Sequence, residues 1–320
     1  MTWREADLAR LRTVPFAGRR NKVDPSLLAT LPGADQSFRA FLASLPDLLA
    51  ARDLRRVIAQ LAAAATAGRG VVLLLGGHVI KTGLGPLLGT LLERGVVTHV
   101  AMNGAAAIHD FELAAFGGTS EDVEAGLVDG TFGMVEETGR AMNEAVAAAA
   151  AASLGLGEGL ANALAAREAG LIGPDVSLLL TCRRLGVPLT VHPAIGAEII
   201  HQHPAADGAA LGTTAMRDFR RLAGSLPDLH DGGAVLNLGS AVMMPEVFLK
   251  ALTVARNLGD GRPTAFLAAD FDMIRHYRPR VNVVQRPTRG HGIGVTITGH
   301  HELMLPLLVW GVLDALEQRG

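Results

Sequence analysis

A chain of 320 residues can form one large α/β domain or two small ones, and with 49% hydrophobic but only 4% aromatic residues its core must be built from Ala, Leu, Val and Ile. A formal net charge of -2 excludes a general electrostatic attraction to nucleic acid or to an anionic membrane. The lone Cys182 excludes an internal disulfide and, with a charged start that lacks a signal-type apolar segment, reads as a cytoplasmic protein.

Residues 1–55, punctuated by Pro15, Pro25, Pro32 and Pro46, read as an N-terminal arm with short helices, and 56–320 as a single α/β domain without linker or repeat. Residues 52–67 carry apolar residues at helical spacing and stop at Gly68. The run VVLLLGGHVIKTGLG then reads as a buried strand, a glycine turn and a helix through Leu92. Val96–Met102 reads as a second strand ending in a loop, NGAAAIHDFE, and 117–140 as loop-rich. Residues 141–170 read as helical with a break at GLGEG, Ser177–Arg184 as a helix, and Pro188–Val191 as a short strand closed by HPAIG. After a helix over 207–224 come a strand at Ala234–Leu238, a helix at 246–257, and a strand at Thr264–Ala268 followed by the charged segment ADFD. A last strand at Val295–Thr298 ends in GHHE before a C-terminal helix.

Apolar strands alternating with helices predict a parallel sheet flanked by helices on both faces, whose carboxyl-terminal rim gathers the ligand site. Several groups of residues fall on that rim. The Gly76-Gly77-His78 turn lets a ligand approach the backbone, although neither GxGxxG nor GxxxxGK[ST] is present. Asn103 and Gly104 are followed by His109, Asp110 and Glu112, a cluster that is costly near a buried strand unless paired or wet. Asp110 reads equally as a carboxylate at the positive end of a helix. His192, Glu198, His201 and His203 lie within twelve residues; the HxH spacing suits metal ligands, and hydrogen bonding to a substrate is the competing reading. Gly239 and Ser240 suit the approach of a phosphate or ribose. Asp270 and Asp272, with Tyr277, Arg278 and Arg280, form a charged loop that could hold substrate or ribose. His300, His301 and Glu302 follow the last strand, where a histidine could move a proton.

The order of these motifs resembles the deoxyhypusine synthases over roughly residues 55 to 315: GGHVIKTGL, THVAMNGAAAIHDF, HPAIGAEIIHQHP, LNLGSAV, FLAADFD with YRPR, and VTITGHHELMLPLL. The segment NGAAAIHDFELAAFGGTS also resembles the NAD-binding part of archaeal ornithine cyclodeaminases. Both resemblances imply a Rossmann-like fold that binds NAD, and the first implies a homotetramer, a dimer of dimers. By position, the resemblance puts cofactor contacts at Gly77, His78, Asn103, Gly104, His109, Gly239, Ser240, Asp272 and His300. It breaks at the chemical centre. Gln285-Arg286-Pro287 stands where the family's catalytic lysine lies, and Val281 and Pro245 replace a glutamate and a histidine of its substrate site.

The expectation is therefore a synthase-like, NAD-dependent enzyme that acts on a C–N bond of an amine or amino acid through an imine, without making deoxyhypusine. His109, His301 and Glu302 are the candidate catalytic residues, and His192, Glu198, His201, Tyr277 and Arg278 the candidate substrate contacts. Lys81, one of only three lysines with Lys22 and Lys250, is a nucleophile without an evident target. One alternative is a metal-dependent hydrolase or lyase using His201, His203, His300 and His301; another is a non-catalytic nucleotide-binding protein.

Overall fold

The computed structural model describes residues 3–167, 170–259 and 262–318; Glu168 and Ala169, within the stretch read as helical, lie outside them. Residues 3–35 are almost entirely exposed and form three short 3-10 turns. Helices α1 (Phe38–Ser44) and α2 (Leu49–Thr66) follow; α2 turns Val57, Ile58 and Leu61 inward.

Six described strands then build one wholly parallel sheet: β1 (Val71–Leu75), β2 (His99–Asn103), β3 (Leu189–His192), β4 (Ala234–Leu238), β5 (Leu267–Asp272) and β6 (Ile293–Thr298). Their order across the sheet is β3-β2-β1-β4-β5-β6. This doubly wound arrangement reverses direction between β1 and β4, where such sheets open a crevice at their carboxyl ends. Strands β1 and β4 are buried throughout, as parallel strands covered on both faces must be, which is why they read as unbroken apolar runs.

Between the strands run α3 (Gly77–Lys81), α4 (Gly85–Glu93), α5 (Gly104–Phe116), α6 (Val123–Asp129), α7 (Glu136–Ala151), α8 (Leu156–Ala165), α9 (Leu178–Leu185), α10 (Gly208–Ser225) and α11 (Met243–Leu258). A π-helical segment (Pro279–Gln285), the single turn α12 (Arg286–Thr288) and α13 (His301–Glu317) complete the chain. Alternate strand residues point to opposite faces. Leu73, Met102, Leu236 and Phe271 pack with α2, α5 and α13, whereas Leu74, Val235 and Ala268 pack with Leu222 of α10 and Phe248 of α11. No helix among the described residues is long and apolar enough to cross a membrane.

Three expectations need correction. NGAAAIHDFE is not a loop: the Asn103 side chain accepts the Ala106 N–H at 2.8 Å, and the alanine-rich α5 starts at once. ADFD is not a loop either, because β5 ends at Asp272 and encloses both aspartates, with Asp270 fully buried. Strand β2 begins at His99, later than the apolar run at Val96 suggests.

Candidate functional site at the carboxyl rim

All six strands deliver their last residues to one rim, and the turns after β1 and β4 meet at the reversal point. They meet at van der Waals limits. A Cβ placed on Gly76 would stand 2.1 Å from the Gly239 carbonyl oxygen, so no other residue fits there without displacing backbone. Gly239 has a left-handed φ of 68° and leaves room for the His301 ring, which a Cβ would approach at 3.0 Å. His301 is buried, and its Nε2 lies 3.1 Å from the Phe271 carbonyl oxygen, so Nε2 carries the proton and Nδ1 the lone pair. That Nδ1 is buried without a partner. The His78 ring stands 5.5 Å from it, centre to centre, and burial followed by the nearby His301 and Lys81 lowers His78 below its usual range.

Unmet hydrogen-bonding capacity continues along β4 and β5. The Asn237 amide donates to the Ser240 carbonyl at 3.0 Å and to Asp270 at 2.8 Å, leaving its own oxygen without a partner. Asp272 accepts the Met273 N–H at 2.7 Å through one oxygen only. The second oxygens of Asp270 and Asp272 are both buried and unpartnered. Burial, the largest influence, pushes Asp270 up to about 6. Ser240 is occupied: its hydroxyl oxygen accepts the Met244 N–H at 3.1 Å.

Beside this crevice, α5, the segment 117–138 and the loop 197–199 enclose a cavity of about 720 Å³. His109, Glu112, Thr119, Thr138 and Glu198 line it, with Phe116, Phe132 and Ile108 as apolar walls. Here the hydrogen atoms can be assigned. Thr119 donates to Glu112 at 2.5 Å, so its oxygen must accept from His109 Nδ1 at 2.7 Å. Neutral His109 therefore carries its proton on Nδ1 and leaves Nε2 a free base. Burial, then the charge of Lys81, lowers His109 and favours that neutral form. Thr138 fills the other Glu112 oxygen at 2.9 Å.

Glu198 sits beneath the first turn of α5, its carboxyl group so close to Gly104 that a Cβ there would stand 2.4 Å away. It accepts the Ala194 N–H at 2.8 Å, and burial pushes it up to about 7. His201 Nε2 lies 3.3 Å from its second oxygen, and both atoms are buried without a hydrogen bond.

Other candidates fall elsewhere. Asp110 caps α9, accepting from Ser177 at 2.6 Å and from the Leu178 and Leu179 N–H groups at 2.8 and 3.1 Å. His192 is bound to Thr190 at 3.0 Å inside the sheet edge. Arg278 pairs with Glu246 at 3.2 Å, and Tyr277 is largely exposed. Glu302 and His300 are exposed neighbours 3.7 Å apart, on the solvent side of the rim. His203 turns to Glu136 at 3.0 Å, away from His201. No three His, Cys, Asp or Glu side chains among the described residues stand close enough to share a metal ion, and His201, His203, His300 and His301 do not converge. Sequence reasoning missed the hydroxyls of Thr119 and Thr138, whose only signal was their place in loops beside the HDFE segment. It also missed His99, whose ring is bound by Ser225 at 2.7 Å and Thr190 at 3.0 Å.

A parallel sheet of this order, with glycine turns at its reversal point, defines a Rossmann-like protein of the dinucleotide-binding type of architecture. No protein-family model matches the chain, and no curated protein sequence is significantly similar to it. Solved structures do share its fold. A protein from Entamoeba histolytica assigned as a deoxyhypusine synthase superposes with a TM-score of 0.52 at 12% identity, covering 89% of this chain and 97% of its own. A conserved LOR/SDH protein from Methanococcus maripaludis S2 gives 0.50 at 16% identity, covering 82% and 69%. AgrE, solved with ornithine and NAD+, gives 0.53 at 15% identity, covering 83% of this chain and 34% of AgrE. The chain thus spans about a third of AgrE. These likenesses bear out the synthase-like, Rossmann-like fold.

Proposed function

We propose that the chain is an NAD-dependent enzyme that oxidises a C–N bond of an amine or amino acid to an imine, and that it is not a deoxyhypusine synthase. One observation carries the reading: His109, whose Nε2 has no partner among the described residues, lines a cavity and packs against Gly77 at the reversal point of a doubly wound sheet.

The residues fit a dinucleotide. The glycine turns pack against each other, α5 and His301, and beside them the unpartnered oxygens of Asp270 and Asp272 can accept ribose hydroxyl protons. His78, Gly77, Gly239 and Asp272 would hold the group; bound NAD supplies the hydride acceptor. The protein supplies the rest. Glu112, Glu121 and Glu137 line the cavity and favour a cationic amine, with Glu198 adding its charge only above about pH 7. Hydride can leave only a carbon that bears a neutral amine, so the ammonium proton must first be removed. His109 Nε2 is placed to take it, with Thr119 and Glu112 fixing the ring.

Deoxyhypusine synthesis is set aside because Gln285-Arg286-Pro287 offers no amine, and the Pro287 carbonyl is bound to Arg256 at 2.8 Å. The metal-dependent alternative loses its support once the four histidines are seen apart. The assembly as a dimer of dimers, implied by the resemblance, belongs to the same proposal and is read from the mass in solution by light scattering. Calorimetric titration with NAD, followed by NADH absorbance over a panel of amines and amino acids, tests the function. NAD binding with turnover of a primary amine is expected; no binding at millimolar NAD overturns it, and binding without any turnover leaves the non-catalytic alternative.

A further inference from the structure

The cavity wall holds a group that hydride transfer does not use. Lys81 lies one helical turn beyond Gly77, on the face of α3 that packs against α5, and it lines the cavity with His109. Gly77 itself touches this wall, since a Cβ there would meet His109 at 3.2 Å. Of the three lysines, Lys250 is held by Glu246 and Lys22 lies on the exposed arm. Lys81 has no ion-pair partner among the described residues, although four glutamates line the same cavity. An unpaired primary amine, a neighbouring imidazole with a free lone pair and a ring of carboxylates form a set suited to covalent chemistry on a carbonyl carbon.

We propose that Lys81 is a carbonyl-reactive amine that forms an imine with an aldehyde or ketone bound in the cavity. His109 Nε2 takes a proton from the Lys81 ammonium group. The freed nitrogen pair then forms a bond to the carbonyl carbon while the C=O π pair moves to oxygen. The oxygen leaves as water with two protons, one from the lysine nitrogen and one returned by His109. The product is a protonated imine, R–CH=NH+–Lys81, whose charge the cavity carboxylates stabilise. No oxidant is consumed. This deepens the proposed function, because an aldehyde or ketone is the hydrolysis product of the imine that amine oxidation forms.

Butyraldehyde with cyanoborohydride tests it, followed by peptide mass spectrometry of limited labelling. With only three lysines in the chain, and Lys81 exposed like Lys22, Lys22 serves as the exposed reference outside the cavity. Lys81 is expected to be alkylated at least about tenfold faster than Lys22, and His109→Gln to remove most of that advantage. Lys81→Arg should leave labelling of Lys22 and Lys250 unchanged. Alkylation of Lys81 at or below the rate of Lys22 in the unaltered protein overturns the assignment. No nucleotide is present, so this outcome and that of NAD binding are read separately.

Discussion

The two halves of the sheet treat buried polar groups differently. On the β2–β3 side every proton in a chain of four residues has a determined place: His192 donates to Thr190, Thr190 to His99, His99 to Ser225, and Ser225 to the Arg221 carbonyl at 3.1 Å. Asp110, nearby, accepts three donors. On the β4–β5 side Asn237, Asp270, Asp272 and His301 each keep a buried atom with no partner. Buried polar groups are normally satisfied, because an unmet one costs roughly 1–3 kcal/mol. The β2–β3 chain of four is closed, although Asp218 against β3 and Glu198 and His201 beyond it each keep a buried atom unmet; the β4–β5 side gathers four such atoms at the rim, capacity that a ligand's hydroxyls and amides can meet.

The sharpest way to break this contrast is at Asp110. Asp110→Ala leaves three donors unpaired at the start of α9 and should cost about 4 kcal/mol, seen as a lower midpoint in urea unfolding. Next comes His99→Phe, which strands Thr190 and Ser225 and should cost about 2 kcal/mol at pH 7, read as a fall in Tm. That variant also carries a signed pH prediction. Burial lowers His99 to about 4, so the folded protein holds fewer protons there than the unfolded chain once pH drops below the ordinary 6.5. Its contribution is present above 6.5 and is lost as pH falls towards 4. The deficit of His99→Phe should therefore narrow over that window; a deficit that widens on acidification contradicts the hydrogen-bonded neutral ring. The smallest stability change is expected at the rim. Asp272→Asn should shift stability by less than about 0.5 kcal/mol while weakening NAD binding roughly tenfold in calorimetry. Equal NAD affinity in that variant would show that the free oxygen serves no ligand.

The sequence revealed β1 and β4 to the residue, because strands buried on both faces are continuous apolar runs bounded by glycine. It misplaced β5, since two aspartates inside a strand look like a loop until Asn237 is seen beside Asp270. The rim residues at Gly77, His78, Gly239 and Asp272 were legible as strand ends. The relay through Thr119 and Thr138 was not, because it joins α5 to residues seven and twenty-six positions downstream of Glu112. Hydrogen bonds of that reach leave no local spacing to read. His301 was visible as a candidate, but its burial over Gly239 makes it a fixed wall of the crevice, and only coordinates show that.

The contact between the turns at Gly76 and Gly239 has a mechanical consequence. Backbone wedged against backbone at the centre of the sheet cannot act as a hinge, so the two halves must move as one rigid plate. Any closure around a bound molecule then has to come from segments hung on the rim and not from a bend of the sheet.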